Sequence, residues 1–568
     1  MGEKATDSPD LRNRDKGKEE APPHSPNARE EEPETDEVQT TTIEALERVV
    51  SSQGLLDDII DGVRLGLLTI TLLSLVLLAL LGSSTPEIFP VIRPVWNFGA
   101  NLPYYILSFP HRVLYLTTLV PKSIDEAQVL ATHYLAYQKE SLKTLPYKDL
   151  TIWFFWAKYL WESYLCIRQR EKLHDIKRPS AIRSIVSRQK FLEANAYSLD
   201  KSSVSLVSDF LGVVIFTLKL VYNYYPLLWD ISGTIVTDHL HISTGSEFAR
   251  VCVMLLLETV EETIIGIPIK AYSTFIVEAK HGFNNQTIGL FFSDIAKSVV
   301  IETIIGSIIT SIIVWIVHNT GEYLYLYIWF ALLGITFIMI SIYPTLIQPL
   351  FNKVEPLPEG ELRSAIEALA SRTGFPLKKL YQIDGSRRSA HSNAYMYGFF
   401  KNKRIVIFDT LIEQTTVEET CAVLGHEIGH WKMGHTISML ISFAIESFAM
   451  LYVFSIFVHE EALYNSFGFS TMPAVIGLKL FMFIYSPLSS LLYFVHNIIS
   501  RRNEFQADAY AKKLGYGKKL ESALIKIQIK NKGNMNPDPL YSAYHYSHPS
   551  LVERLRAIDD PNVAPKTE

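Results

Sequence analysis

Residues 298–317 read SVVIETIIGSIITSIIVWIV, and residues 323–343 read YLYLYIWFALLGITFIMISIY. Each run has about the ~20 residues that an α-helix needs to cross the hydrocarbon core of a bilayer. Glu302 is the only charged residue in the two runs, and no lysine or arginine occurs between positions 298 and 352. These stretches predict a helical membrane protein.

Further apolar runs of similar length lie on both sides of this pair, at 65–81, 149–167, 205–225, 249–269, 438–458 and 474–497. One such run is also typical of a buried core helix, but eight together favour membrane spans. The composition agrees, because hydrophobic residues make up 48%, charged residues only 20%, and the mean hydropathy is +0.14. The formal net charge of −6 indicates no nucleic-acid partner. The three cysteines show no paired spacing, which argues against a disulfide scaffold and a cysteine-built zinc site.

The distribution of basic residues orients the spans. Lysine and arginine are absent from 220–249 and 433–478 but are dense between Arg168 and Lys190. By the positive-inside rule, 344–437 and the chain after 498 then face the cytosol.

The resulting domain plan has six parts. They are a disordered polar segment (1–64), an extra N-terminal span with its connecting loop (65–148), core transmembrane helices 1–5 (149–343), a cytosolic α/β peptidase insert (344–437), core helices 6–7 (438–497) and a cytosolic C-terminal part (498–568). Within the insert, Glu359–Ser371 has helical spacing, and Arg404–Phe408 is predicted to be a strand paired with 391–400.

The segment GHEIGHW at 425–431 contains the pattern His-Glu-x-x-His. Residues four apart share a helix face, so His426 and His430 can both bind one tetrahedral zinc ion. Glu427 is offset by one position and is predicted to be a general base rather than a ligand. Gly425 and Gly429 are poor helix formers, which favours a cleft helix that other groups approach closely.

A catalytic zinc ion usually needs a third protein ligand. A metzincin would place a histidine at position 436, but that residue is Thr436, and His435 is expected to point away from the ligand face. The better candidate is Glu504, with Asp508 four residues later to steady a ligand imidazole. The alternative is that Glu504 is a solvated charge beside its basic neighbours.

Taken together, these motifs resemble the type I CAAX prenyl proteases, which are integral membrane zinc metallopeptidases of the gluzincin kind. The resemblance runs from about 150 to 560, and its anchors are EAKHGFN at 278–284, PTLIQPLFN at 344–352, SNAY at 392–395, the HExxH segment, Glu504 with Asp508, and SHPS at 547–550. It implies seven core spans that begin near 149, with the run at 65–81 as an addition. It also implies one zinc ion per chain and removal of the last three residues of prenylated CaaX proteins. The implied setting is the endoplasmic reticulum membrane, or the nuclear envelope, with membrane lipid around the helices and the active site facing the cytosol.

The resemblance also nominates further site residues. His548, with Arg554 as a weaker partner, is expected to stabilise the oxyanion; the alternative is that His548 caps a helix before Pro549. The strand at 390–399 could bind substrate by main-chain pairing, with Asn393 and Ala394 nearest the zinc, or could be an ordinary hairpin edge.

Three functions remain open at this point. They are a prenyl-protein endopeptidase, a membrane quality-control protease of broad specificity, and a helical transporter or scaffold with a degenerate metal site. The intact set His426, Glu427, His430 and Glu504 argues against the third function, because a scaffold needs no general base.

Overall fold

The computed structural model describes residues 145–242, 246–398 and 402–559. The disordered segment predicted at 1–64 lies outside these residues. So does the predicted N-terminal span and loop at 65–148, apart from its last four residues.

Helices dominate the part of the chain that is described. The membrane-side helices are α1 Tyr147–Leu173, α2 Arg188–Val221, α3 Tyr224–Thr234, α4 Glu247–Tyr272, α5 Ile288–Thr320 and α6 Leu324–Ile342, and π-helical turns extend α4 through Ser273–Glu278 and α6 through Tyr343–Ile347. The insert contains α7 Gln348–Phe351, β1 Val354–Pro356, α8 Glu361–Thr373, β2 Leu377–Ile383, β3 Ala394–Tyr397, β4 Lys403–Phe408, α9 Asp409–Gln414 and α10 Val417–Lys432. The remaining helices are α11 His435–Phe457, α12 Glu461–Ser466, α13 Ala474–Ala511, α14 Gly517–Lys530, α15 Pro539–His545 and α16 Leu551–Asp559. Every apolar run after residue 149 therefore lies in a long helix.

Four helical stretches are long and apolar enough to cross a membrane, judged by length and composition over the described residues: Arg188–Val221, Ile288–Phe351, His435–Phe457 and Ala474–Lys530. The second stretch contains both α5 and α6, which are joined at Gly321 through a positive φ of 57°. The helices α1 and α4 are absent from this set, and both carry several charged side chains. The chain is thus a helical protein of membrane type.

Charged groups within the apolar helices pair with one another. Lys219 Nζ of α2 lies 2.6 Å from Glu261 Oε2 of α4, and Lys479 of α13 contacts Glu258 of α4. Ion pairing is the usual condition for keeping such side chains at membrane depth, because an isolated charge there is costly. The pairs therefore connect three helices to one another.

A four-stranded sheet in the order β1-β2-β4-β3 forms the centre of the insert. The predicted pairing of β3 with β4 is confirmed, and it is antiparallel, with Ala394 opposite Ile407. The helix predicted at 359–371 is also confirmed as α8. Ile405 and Ile407 of β4 are fully buried in one core with Leu424 and Ile428 of α10, so the sheet supports the helix that carries the HExxH motif.

All four predicted domain boundaries within the described residues fall inside helical stretches: 148/149 lies in α1, and 343/344 lies in the π-helical turn that extends α6. The boundary at 437/438 lies within α11, and the boundary at 497/498 lies within α13. The long helix α13 therefore carries the last apolar run and the Glu504 region on one rigid element.

Candidate metal centre

Helix α10 is fixed at its start by a capping box. Thr416 Oγ1 accepts from the backbone N–H of Glu419, while the N–H of Thr416 donates to Glu419 Oε2. The Glu419 carboxylate also accepts hydrogen bonds from Ser522 and Lys526 of α14, at 2.6 and 2.7 Å. These contacts connect α10 to α14 about two to three turns before the candidate ligands.

Close packing against α13 explains one of the two glycines of the motif. A Cβ atom at Gly429 would lie 3.2 Å from both the Cα and the carbonyl oxygen of Ala507, which is tighter than normal contact. At Gly425 the nearest atom, Leu514 Cδ1, would lie at an ordinary 3.7 Å. The expectation of close approach therefore holds at Gly429 but not at Gly425.

The close approach of the two helices brings three candidate ligands together. His426 Nε2 lies 3.1 Å from His430 Nε2, and the Glu504 carboxylate lies 3.5 Å from the first imidazole and 3.2 Å from the second. His426 and Glu504 are buried, with 6% and 4% of their surface exposed. Among the described residues, these three form the group of at least three His, Cys, Asp and Glu side chains whose ligand atoms all lie within 4.8 Å of one another.

The arrangement fits one metal ion. Tetrahedral ligands bonded at about 2.0–2.1 Å to zinc are roughly 3.3 Å apart, close to the separations seen here. Glu504 Oε2 is buried and has no hydrogen-bond partner within the described residues, as expected for a ligand oxygen awaiting a cation. Burial lowers the pKa of His426, but the adjacent carboxylates of Asp508 and Glu504 outweigh it and raise the pKa to about 9. An environment that favours a proton on this imidazole also favours a metal cation.

Asp508 and Arg554 hold the first imidazole from behind. Asp508 Oδ1 lies 2.8 Å from His426 Nδ1. Arg554 of α16 donates to both oxygens of Asp508, at 2.8 and 2.6 Å, and its guanidinium lies 3.6 Å from Glu504 Oε2. A carboxylate on the far nitrogen orients a ligand histidine and raises its basicity. The structure thus places Asp508 where the sequence predicts a supporting residue.

His435 is not part of the group of candidate ligands, in agreement with the expectation, but it lies beside the site rather than far from it. Its Nδ1 lies 2.9 Å from His430 Nδ1, and its Nε2 lies 2.9 Å from Gln506 Oε1. The expectation assumed that one helix continues through this region. Instead, α10 ends at Lys432 and Gly434 adopts a positive φ of 70°, which turns the start of α11 back toward His430. The glycine is the signal in the sequence that indicates this turn.

Glu427 follows the first ligand directly and is partly buried. Burial raises the pKa of its carboxyl, while the neighbouring His426 and His430 lower it, and the net direction is upward. A carboxyl whose pKa is raised toward neutrality is better suited to exchange protons during a reaction.

His548 lies at the open side of the site. Its side chain is 64% exposed, with Nε2 3.3 Å from Glu504 Oε1 and Nδ1 2.9 Å from Ser547 Oγ. The alternative that it caps a helix is wrong, because Ser550 makes that cap: the Ser550 N–H donates to Glu553 Oε2, and Ser550 Oγ accepts from the N–H of Glu553.

Asn393 and Ala394 lie at the start of the edge strand β3. The Phe408 N–H donates to the Asn393 carbonyl, so the backbone groups of Asn393 face β4. Since these groups alternate in direction along a strand, those of Ala394 and Met396 face the open edge. The Ala394 N–H is already taken by Asn393 Oδ1, at 2.8 Å, which leaves the Ala394 carbonyl available.

Two family models cover most of the chain. A model described as the N-terminal part of CAAX prenyl proteases, with five membrane helices, matches residues 169–353, and the model of peptidase family M48 matches residues 356–562. The chain belongs to peptidase family M48. The second match includes all of the candidate site residues described above.

Curated relatives agree with the M48 assignment. The chain is 44% identical to the "CAAX prenyl protease 1 homolog" of Oryza sativa over 417 residues, which is 73% of this chain and 98% of that protein. It is 45% identical to the Arabidopsis thaliana homologue over 416 residues, with the same coverage. The crystal structure of S. mikatae Ste24p matches with a TM-score of 0.70 and 40% identity, and covers 73% of this chain and 99% of that one. The M48 fold and the helical membrane part are therefore shared with these relatives.

Proposed function

We propose that this protein is a zinc endopeptidase that removes the C-terminal tripeptide of prenylated CaaX proteins within the membrane. Its family and its curated homologues make it a membrane metalloendopeptidase that processes CAAX proteins. The observation that carries the proposal is the meeting of His426, His430 and Glu504 beside the general-base candidate Glu427. A transporter or scaffold has no use for such a set.

In this proposal His426, His430 and Glu504 hold one zinc ion, and Asp508 steadies the first imidazole. A zinc ion in such a site supplies Lewis acidity, which polarises the scissile carbonyl and makes water more acidic. Glu427 accepts the proton of the attacking water and then delivers it to the leaving amine. A carboxyl that both accepts and delivers a proton benefits from a raised pKa, and burial raises the pKa of Glu427.

The developing oxyanion needs a donor, and we propose His548 for this role. Its exposed Nε2 lies at the open side of the ligand set, 3.3 Å from Glu504 Oε1, where an imidazole can turn toward bound substrate. The guanidinium of Arg554 donates its hydrogen bonds to Asp508. We therefore propose that Arg554 stabilises the oxyanion mainly through its positive charge and not by a hydrogen bond.

Substrate peptide is proposed to bind along β3. The strand has a free edge, and its Ala394 and Met396 side chains pack on the core shared with α10. An extended peptide paired with this edge would donate to the Ala394 carbonyl and run past the metal ligands. Asn393 and Ala394 are then the substrate-binding residues.

The proposed topology has seven core spans: α1, α2, α4, α5, α6, α11 and α13. All seven apolar runs from 149 onward lie in helices, and the distribution of lysine and arginine supports a cytosolic insert at 344–437. We place the protein in the endoplasmic reticulum membrane, where its prenylated substrates would remain anchored in lipid while their peptide reaches the metal.

The deciding experiment compares two versions of one CaaX peptide, prenylated and unprenylated, with the purified full chain. The prenylated version is expected to be cleaved preferentially, with release of a tripeptide detected by mass spectrometry. Equal turnover of the two versions would favour a quality-control protease of broad specificity. A Glu427→Gln variant purified in the same way controls for contaminating peptidases.

A further inference from the structure

The segment EAKHGFN at 278–284 takes no part in the metal site, yet it makes dense contacts with the loop at 384–393 that leads into β3. Ala390 N–H donates to the Phe283 carbonyl, Asn285 N–H donates to the Arg388 carbonyl, and Asn284 bridges to Ser389. These contacts connect the end of α4 to the start of the strand proposed to bind substrate.

A partly buried polar cluster lies at the centre of this connection, with the side chains of His391 and Glu278 36% and 23% exposed. The Tyr197 hydroxyl of α2 donates to Glu278 Oε1 at 2.6 Å and lies 3.3 Å from His391 Nε2. His391 Nε2 also lies 3.5 Å from Glu278 Oε2, an oxygen with no hydrogen bond within the described residues. The His391 ring stacks on Phe283, with centroids 4.0 Å apart and planes at 16°. Tyr197 and Phe283 are each only 3% exposed.

His391 is only two residues before Asn393. Its carbonyl accepts from Thr410 Oγ1 at 3.0 Å, so its main chain is fixed on the sheet side while its ring is fixed on the membrane-helix side. The neighbouring Ser392 N–H donates to Asn531 at the end of α14, at 3.1 Å. The start of β3 is thereby held from three directions.

We propose that Tyr197, Glu278 and His391 are positioning residues for hydrolysis: they hold the start of β3 at the height at which a paired peptide presents its scissile bond to the metal ligands. This inference rests on the proposed function, because it needs β3 to bind substrate. Within the described residues, no hydrogen bond, ion pair or ring contact joins the cluster to His426, Glu427, His430 or Glu504, so the proposed effect on the reaction passes through Asn393 and Ala394.

The test uses three side-chain changes in the full chain: Tyr197→Phe, Glu278→Gln and His391→Phe. The first two are nearly isosteric, and the third keeps the ring that stacks on Phe283. Each is expected to lower kcat for a prenylated peptide about 10- to 100-fold, because displacements near 1 Å at a reacting bond have effects of this size. Zinc content and thermal midpoint are expected to match those of the wild type.

The double variant Tyr197→Phe with Glu278→Gln is expected to lose no more than the worse single variant, because the two residues act as one unit. Lys280→Met is the matched control: Lys280 belongs to the same segment but pairs with Asp200 at 2.7 Å, and its side chain is 57% exposed. It should leave kcat unchanged.

Three results would overturn the inference. They are a kcat within twofold of wild type in the single variants, a loss confined to KM, or a loss that parallels a loss of zinc. The wild-type preference for the prenylated peptide, measured alongside, tests the proposed function separately. If the wild type shows no preference for the prenylated peptide but the variants still lose kcat, the substrate assignment is overturned. If the preference is present but the variants keep their kcat, only the positioning role is overturned.

Discussion

At the scale of single residues, the proposed site divides into candidate metal ligands and one candidate proton carrier. The ligand atoms of His426, His430 and Glu504 lie within 4.8 Å of one another, whereas Glu427 follows His426 by one position on α10 and is outside this group. The nitrogen of each imidazole that faces away from the other ligands has its own partners. Asp508, held by Arg554, contacts Nδ1 of His426, and His435, held by Gln506, contacts Nδ1 of His430. The division predicts that metal binding and chemistry can be separated by mutation.

Glu427→Gln is expected to keep about one zinc ion per chain, the single site predicted here, while hydrolysis falls by about 10²–10⁴-fold, the usual contribution of a positioned proton carrier. His430→Ala and Glu504→Ala should instead lose most of their zinc. Metal analysis of the purified variants, with peptide turnover measured in parallel, checks both statements. Full zinc retention in Glu504→Ala would place the third ligand elsewhere.

At the scale of secondary-structure elements, the fit of α10 against α13 decides whether the ligands meet. Gly429 is the point of closest approach, where a Cβ atom would lie 3.2 Å from the backbone of Ala507. The backbone of Ala507 cannot move aside as a flexible side chain can, so the helices would have to separate.

Gly429→Ala is therefore expected to weaken zinc binding, since it moves His426 and His430 away from Glu504 by a few tenths of an ångström. Gly425→Ala is the matched control, because its Cβ would make only ordinary contacts and alanine favours a helix by about 1 kcal/mol. Competition with a chelator measures zinc affinity in both. Equal affinities in the two variants would refute the close-packing argument.

The contact between α10 and α14 predicts a pH dependence. Burial raises the pKa of Glu419, but hydrogen bonds from Lys526, Ser522 and the Thr416 backbone outweigh it and lower the pKa from 4.5 to about 2. A carboxyl whose pKa is lower in the folded state than in the unfolded state stabilises the folded state at pH values above its unfolded pKa. This contribution, about 3 kcal/mol for such a shift, is lost as the pH falls from 4.5 to 2.

Glu419→Gln is accordingly expected to lower the thermal midpoint at pH 7 and to flatten its dependence on pH in the acid range. Its neighbour Glu418 is exposed and contacts Lys519, so Glu418→Gln should behave like the wild type. Thermal unfolding of the three proteins across pH 3–7 makes the comparison. A Glu419→Gln curve parallel to that of the wild type would show that this carboxylate does not carry the effect.

Much at this scale could be predicted from the sequence, because hydrophobic periodicity and the HExxH spacing are local signals. The helix α8, the β3–β4 pair and the helical state of all seven core runs were predicted in this way. The strands β1 and β2 were not predicted, and the parallel pairing of β2 with β4 depends on a crossover that no local pattern encodes. The contact between His435 and His430 was not predicted, because it depends on one backbone turn at Gly434.

At the scale of the whole molecule, the distribution of lysine and arginine gives the proposed topology a direction across the membrane. We predict that a glycan acceptor inserted in the exposed turn at 358–360, between β1 and α8, stays unmodified, because the proposed topology places the insert in the cytosol. An acceptor on a flexible insertion after His459, between α11 and α12, should be glycosylated. Gel mobility with and without glycosidase treatment reads out both. The opposite pattern would invert the proposed topology.

The order of the ligands along the chain has a consequence for biosynthesis. His426 and His430 emerge from the ribosome before α11 and α13, whereas Glu504 lies in α13 itself and emerges only after α11 and the apolar run at 474–497 have been made. A nascent chain that ends before α13 therefore carries two imidazoles, a general base and no third ligand. In the proposed mechanism such a chain is inert, so hydrolytic activity begins only when the last membrane helix is in place, and newly made copies cannot cleave their neighbours at the translocon.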